Sequence, residues 1–257
     1  MVTMLEFEDA KDKVMMGAER RSMGMTEEEK RKTAYHEAGH AIVGMNLDKC
    51  DPVYKATIIP RGSALGMVVS LPEMDRLNMH KDEGKQKIAM MMAGKAAEII
   101  KYGEEGVSSG PAGDIQQASA LARAMVMRWG MSDVIGNIDY AEAHEGYNGA
   151  TGGFSVSAET KTKIESEVKR LIDEGYDTAR AILLAKQDDW ERMAQGLLEY
   201  ETLTGEEIKK IISGQPLDGG DASNAPAGGG AMPSVLTVPR TKPRAPSTGG
   251  MEPEPTA

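Results

Sequence analysis

Two of the chain's four histidines, His36 and His40, stand four residues apart in the stretch 33–44, "TAYHEAGHAIVG", with Glu37 directly after the first. In a helix, four residues turn about 400°, so the two imidazoles lie about 40° apart on one face and can reach one ion. Neutral imidazole suits Zn²⁺. Glu37 lies about 100° further round. From there it can touch a metal-activated water without being a ligand itself. This is the H-E-x-x-H arrangement, in which the carboxylate takes a proton from water while the metal polarises a carbonyl. Without chemistry, the same residues are two surface or core histidines beside an incidental glutamate. The surrounding Ala34, Ala38, Gly39 and Ala41 weigh against that reading, because buried histidines need partners and a metal supplies one. Gly39 costs about 1 kcal/mol of helix propensity relative to Ala. A helix tolerates that where another backbone or a substrate must come close.

Two ligands are too few, since a catalytic zinc takes three protein ligands and keeps one position open. His80 in "NMHKDEGK" and His144 in "AEAHEGYNG" qualify by type, but both sit in polar stretches and read as solvated. Two carboxylates are better placed. Glu98 lies in the apolar helix "MMAGKAAEII", where an unpaired charge is costly. Asp114 follows "SSGPAG" and opens the helix "DIQQAS", where the helix N-terminus favours an anion; a plain N-cap is the simpler account of it. The residues themselves leave the choice between Glu98 and Asp114 open.

The elements that must hold these groups are mostly helices. "TEEEKRKTAYHEAGHAIVGMNL" opens on the capping-box pair Thr26 and Glu29, and Ala34, Ala38, Ala41, Ile42 and Met45 recur at helical spacing. "KATIIP" and "ALGMVVSL" read as two short strands joined through "RGS". "MHKDEGKQKIAMMMAGKAAEIIKYG" reads as a second helix. "DIQQASALARAMVMRW" reads as a third, with Ile115, Ala118, Ala122, Met125, Val126 and Trp129 on one face and Gly130 as its stop. "SAETKTKIESEVKRLIDEGYDTARAILLAKQ" is a long amphipathic helix whose pattern "DDWERMAQGLLEY" continues, and "TGEEIKKIIS" is a last short one with Thr204 and Glu207 as its capping box. The fold class expected is therefore mainly α, with a small β-hairpin near the histidines.

Composition agrees. Aromatics are only 4% and there are 19 Met, a core that favours helix-on-helix packing. The net charge of −10 argues against nucleic acid as a partner. The single cysteine, Cys50, excludes an internal disulfide and a Cys-rich zinc knuckle. No apolar run approaches the ~20 residues of a membrane helix, and the N-terminus lacks the form of a signal peptide, so the chain by itself is expected to be soluble and cytoplasmic.

The strongest boundary falls near Gly214. Eight of the twelve prolines lie beyond it, in a stretch with no apolar period. Residues 1–213 are expected to form one domain and residues 214–257 a disordered Pro/Gly-rich tail.

At these residues the chain closely resembles the peptidase domain of FtsH, the membrane-anchored AAA+ zinc protease family of bacteria and organelles, in its α-proteobacterial form. The resemblance runs from "FEDAKDKVMMGAERRSM" through "TAYHEAGHAIVG", "IIPRGSALG", "LPEMDR", "SSGPAGDIQQAS" and "MVMRWGMSD" to "YETLTGEEI", roughly residues 5 to 213. It implies a mainly helical zinc-metallopeptidase domain and a homohexameric ring. It implies that His36 and His40 bind zinc and that Glu37 is the general base. It makes Asp114 the third ligand and Glu98 a supporting carboxylate. It also implies that the strand in "SALGMVVSLPE" borders the cleft and pairs with an extended substrate.

Family members carry transmembrane helices and an ATPase module ahead of this domain, and no G-x-x-x-x-G-K-[ST] occurs in the chain. The expectation is thus a zinc endopeptidase for unfolded or damaged polypeptides. It would be the proteolytic part of an ATP-dependent protease that the absent N-terminal part holds at the cytoplasmic face of the inner membrane. The competing class is a non-catalytic helical ring-assembly module whose site is structural or empty. A structural zinc site takes four protein ligands and needs no adjacent base, and no fourth ligand stands at sensible spacing, which favours the enzyme.

Overall fold

The first helix, α1 (Met4–Met16), is closed at its start by a capping box between Thr3 and Glu6. The coordinates are a computed structural model describing residues 3–20, 24–62, 64–72, 78–140 and 156–217. Helix α2 (Glu27–Met45) starts on the expected box: the Thr26 N–H donates to Glu29 at 2.8 Å, and the Glu29 N–H donates to the Thr26 hydroxyl at 3.2 Å. Such a pair contributes about 1 kcal/mol by satisfying N–H groups the helix cannot pair internally. Two strands follow, β1 (Val53–Thr57) and β2 (Met67–Ser70). Then come α3 (Lys81–Tyr102), a 3-10 turn at Glu104–Gly106, α4 (Ala112–Met127), α5 (Ala158–Ala185), α6 (Gln187–Tyr200), β3 (Thr202–Thr204) and α7 (Gly205–Ile212). The fold is mainly α with one small antiparallel sheet.

That sheet has the order β2-β1-β3. Thr57 faces Met67 on one side and Thr202 on the other, and the register shifts between Val53 and Lys55. β1 is thus the central strand, and among the described residues β2 keeps one edge open. The strands are shorter than the sequence reading had them: β1 ends at Thr57, and residues 58–66 form the connection. There Arg61 exchanges backbone hydrogen bonds with Ala64.

α2 is the centre of the helical layer. Every residue from Thr33 to Gly39 is buried, so this helix has neighbours all round rather than a single apolar stripe. Ala34, Ala38, Ala41 and Ile42 are fully buried as expected, while Met45 ends up exposed at the helix end. The small residues let α3 come close. A Cβ added at Gly39 would lie 2.8 Å from the Ala97 methyl and 3.0 Å from the Ala93 carbonyl oxygen. The close approach anticipated at Gly39 is therefore that of a neighbouring helix.

One core cluster joins α2 to Ala93, Ala96 and Ala97 of α3, to Leu183 of α5, and to Trp190, Met193 and Leu197 of α6. A second joins Ile88 and Met92 of α3 to Ala118, Ala122, Met125 and Val126 of α4 and to Ile164 and Leu171 of α5. Trp129 does not continue the buried face of α4; it lies beyond the helix end and is exposed. The elements described belong to one packed unit, Met1–Asp218. Leu217 packs on the first core cluster. The expected tail lies outside the described residues from 218 onwards. Among the described residues no helix is long and apolar enough to cross a membrane.

Candidate metal centre

His36 and His40 point from α2 towards α3 and the first turn of α4, and each ring is fixed by its Nδ1. The His36 Nδ1–H donates to Glu98 Oε1 at 2.9 Å. The His40 Nδ1–H donates to the Met90 carbonyl at 2.8 Å. A carboxylate and a carbonyl can only accept here, so both protons sit on Nδ1 and both neutral rings turn an Nε2 lone pair inwards. The two Nε2 atoms are 3.2 Å apart. Asp114 Oδ2 completes the triangle, 3.2 Å from one Nε2 and 3.4 Å from the other. Three lone pairs thus converge with no proton between them when both rings are neutral.

That arrangement demands a cation. Burial disfavours a charged His36, but hydrogen bonds to Asp114 and Glu98, with the charge of Glu37 behind them, overcome it and hold the ring at about 10. Burial would raise Asp114, yet the two histidines outweigh it and keep this carboxyl well below the usual range. A metal answers the same demand. Donors at 2.0–2.1 Å from a tetrahedral ion stand about 3.3 Å apart, and the observed triangle has that size. His36, His40 and Asp114 are the group among the described residues whose ligand atoms could hold one ion together. The donor set, two imidazoles and a carboxylate, is one that zinc accepts.

Space for the ion is kept by a residue that the sequence reading passed over. A Cβ at Gly94 of α3 would lie 2.4 Å from Nε2 of His36 and 2.7 Å from Nε2 of His40. Any side chain there would collide with both imidazole rings at their inner nitrogens. The available signal was a glycine inside a helix, which usually marks close packing.

Glu98 stands on the far side of His36. It is 2% exposed and also accepts from the Ser108 N–H at 2.7 Å and the Ser108 hydroxyl at 3.1 Å. Burial raises its pKa, but His36 and Ser108 outweigh that and keep it ionised. Its contact is with the outer nitrogen, so it orients the ring from behind. Ser108 was not foreseen either; only the fold brings it back onto α3. Asp114 also differs from the plain N-cap weighed above. α4 begins at Ala112, so Asp114 is in the first turn, and its carboxylate turns to the histidines. His80 is exposed at the start of α3, and His144 lies outside the described residues.

Glu37 is 6% exposed. Among the described residues its carboxylate has no hydrogen-bond partner. Burial raises its pKa, and the two histidines only partly offset this. A buried and more basic carboxylate beside a group that could hold a metal is the arrangement a proton acceptor needs.

A group that could hold one ion suits a metallopeptidase, and that is the class comparison with known proteins gives. Residues 23–211 match the profile of peptidase family M41, and the chain belongs to that family. It is 54% identical over 220 residues to the ATP-dependent zinc metalloprotease FtsH of Caulobacter vibrioides (strain NA1000 / CB15N), covering 84% of this chain and 35% of the relative. It is 47% identical over 242 residues to the protein of the same name from Rickettsia bellii (strain RML369-C), covering 94% and 38%. A third relative, ATP-dependent zinc metalloprotease FtsH 4 of Sorangium cellulosum (strain So ce56), is 47% identical over 222 residues, covering 84% and 34%. The resemblance to FtsH, including its α-proteobacterial form, is borne out. The chain spans about a third of the length of these curated relatives.

Proposed function

We infer that this chain is a zinc endopeptidase domain of the H-E-x-x-H type, acting on unfolded polypeptide. The observation that carries the reading is the convergence of the Nε2 lone pairs of His36 and His40 with Asp114 Oδ2, next to the buried carboxylate of Glu37, which has no hydrogen-bond partner among the described residues. In this reading His36, His40 and Asp114 hold the ion and Glu98 fixes the His36 tautomer. When bound there, zinc supplies Lewis-acid polarisation of a peptide carbonyl and lowers the pKa of water. Glu37 takes a proton from the attacking water onto its carboxylate and passes it to the amine nitrogen as the peptide C–N bond breaks. Its burial keeps that carboxylate basic enough to accept.

The open edge of β2 supports an extended substrate. Strand addition pairs backbone with backbone, so it accepts many sequences but needs a chain whose own backbone is unpaired. A folded protein, stable by about 5–15 kcal/mol, does not offer one. The relatives' printed name, ATP-dependent zinc metalloprotease FtsH, supports a division of labour in which an AAA+ ATPase module unfolds what this domain cleaves. In the same proposal the domain comprises residues 1–213, and the stretch 214–257 is a tail whose first residues, to Leu217, still pack on the domain. It works in a homohexamer on the cytoplasmic face of the inner membrane, and the site is catalytic rather than a structural element of a ring platform.

The test is Glu37→Gln. The variant should keep about one zinc per subunit and lose at least 10²-fold in turnover of casein-like unfolded substrate. Chelator should silence the unaltered chain. Loss of zinc from Glu37→Gln, or full activity in it, would contradict the role given to this residue.

A further inference from the structure

The metal-side residues are held by hydrogen bonds, but Glu37 has none to hold it among the described residues. Something else must fix its rotamer. Gly66, the residue immediately before β2, lies against it. A Cβ built on Gly66 would be 2.7 Å from both Cγ and Oε1 of Glu37 and 2.6 Å from the Thr33 methyl, one turn back on α2. No real Cβ occupies such space, so only glycine lets the strand rest on the carboxylate in this position. The backbone of Gly66 therefore packs beside both Glu37 and the Thr33 methyl, and Glu37 is 6% exposed.

We propose that Gly66 is the positioning residue for Glu37: the head of the β2 edge strand seats the base by contact, so the strand offered to the substrate and the group that moves the proton form one unit. This rests on the reading of Glu37 as the base and adds a second residue to it. The consequence is selective. The three nearest atoms a methyl would meet at Gly66 are side-chain atoms, so the chain should fold and the Glu37 side chain should swing aside. None of those three atoms belongs to His36, His40 or Asp114, which should stay in place. A catalytic group misplaced by about 1 Å costs on the order of 10²-fold in rate.

The experiment compares Gly66→Ala, Glu37→Gln and the double variant in the full chain, with an unfolded casein peptide as substrate and zinc measured on each. Gly66→Ala should keep its zinc, change KM by less than about threefold and lose about 10²-fold in kcat. The double variant should be no slower than Glu37→Gln alone, because both changes act through one carboxylate. Adding Thr33→Ser to Gly66→Ala removes the methyl that crowds the new Cβ. It should recover thermal stability but not kcat, which a purely structural role would recover too. A crystal structure of Gly66→Ala gives a readout independent of turnover: the Glu37 carboxylate displaced, with the two imidazoles and Asp114 unmoved. Unchanged kcat, loss of zinc, additive losses in the double variant, or an unmoved Glu37 would each overturn the assignment. Full activity in Glu37→Gln would instead overturn the reading beneath it.

Discussion

Two carboxylate clusters among the described residues differ in where their positive charge comes from. Glu167 of α5 is 6% exposed and fully matched. Its oxygens accept from Arg170 Nε at 2.8 Å, from Arg170 Nη2 at 2.9 Å and from the Ser132 hydroxyl at 2.6 Å. The guanidinium brings a permanent charge. At the other cluster, Asp114 and Glu98 face two imidazoles that carry no permanent charge, and the lone pairs nearest Asp114 point at one another. Burial is similar, but the source of positive charge differs. The first cluster pins the segment after α4 onto α5 and asks for nothing further. The second is balanced by a proton on His36 or by a metal ion in its place, and for that reason the chemistry is assigned there.

Gly94→Ala gives the largest predicted break in that comparison. The new methyl would collide with both imidazole rings and push them out of place, so zinc affinity should fall by more than about 10²-fold while helicity is retained. Zinc titration beside circular dichroism checks both halves. Glu98→Gln should cost less, about 10–100-fold in zinc affinity, the usual effect of disturbing the partner behind a ligating histidine. Ser108→Ala, one contact further out, should stay at or below about 10-fold on the same titration.

The smallest effect belongs to the Glu167 cluster and appears as a pH dependence. Arg170, chiefly, with Ser132 helping against burial, holds Glu167 down at about 2 from an ordinary 4.5. Its folded pKa is depressed, so its contribution is present above about pH 4.5 and lost as pH falls towards 2. Between pH 6 and 3 the thermal midpoint of the unaltered chain should fall a few degrees further than that of Glu167→Gln. Zinc affinity at pH 7 should be the same in both. Parallel acid limbs would show that this cluster does not stabilise the fold.

Much of this was legible in the sequence because it is local. The box of Thr26 and Glu29, the apolar spacing through Ile42 and the i, i+4 histidines fix α2 and the face it offers. The box of Thr204 and Glu207 fixes α7 in the same way. The break between α5 and α6 at Lys186 carries no Gly or Pro to announce it, and the apolar pattern runs on across it. β3 is three residues long, too short to display a period. α1 had a signal that went unread, the spacing of Thr3 and Glu6. Glu98 and Asp114 could not be told apart from their own helices, because the deciding fact is which ring nitrogen each one meets. Gly94 and Gly66 act by contact across elements, and such contact has no one-dimensional trace beyond the glycine itself.

The most direct measurement is zinc binding by the unaltered chain, Asp114→Asn and Glu98→Gln in one competitive titration. The account predicts about one tightly held zinc per subunit in the unaltered chain. It predicts the larger loss of affinity in Asp114→Asn, which removes the ligand charge, and the smaller loss in Glu98→Gln, which only loosens the ring behind it. Full zinc affinity in Asp114→Asn, or a larger loss in Glu98→Gln, would contradict it.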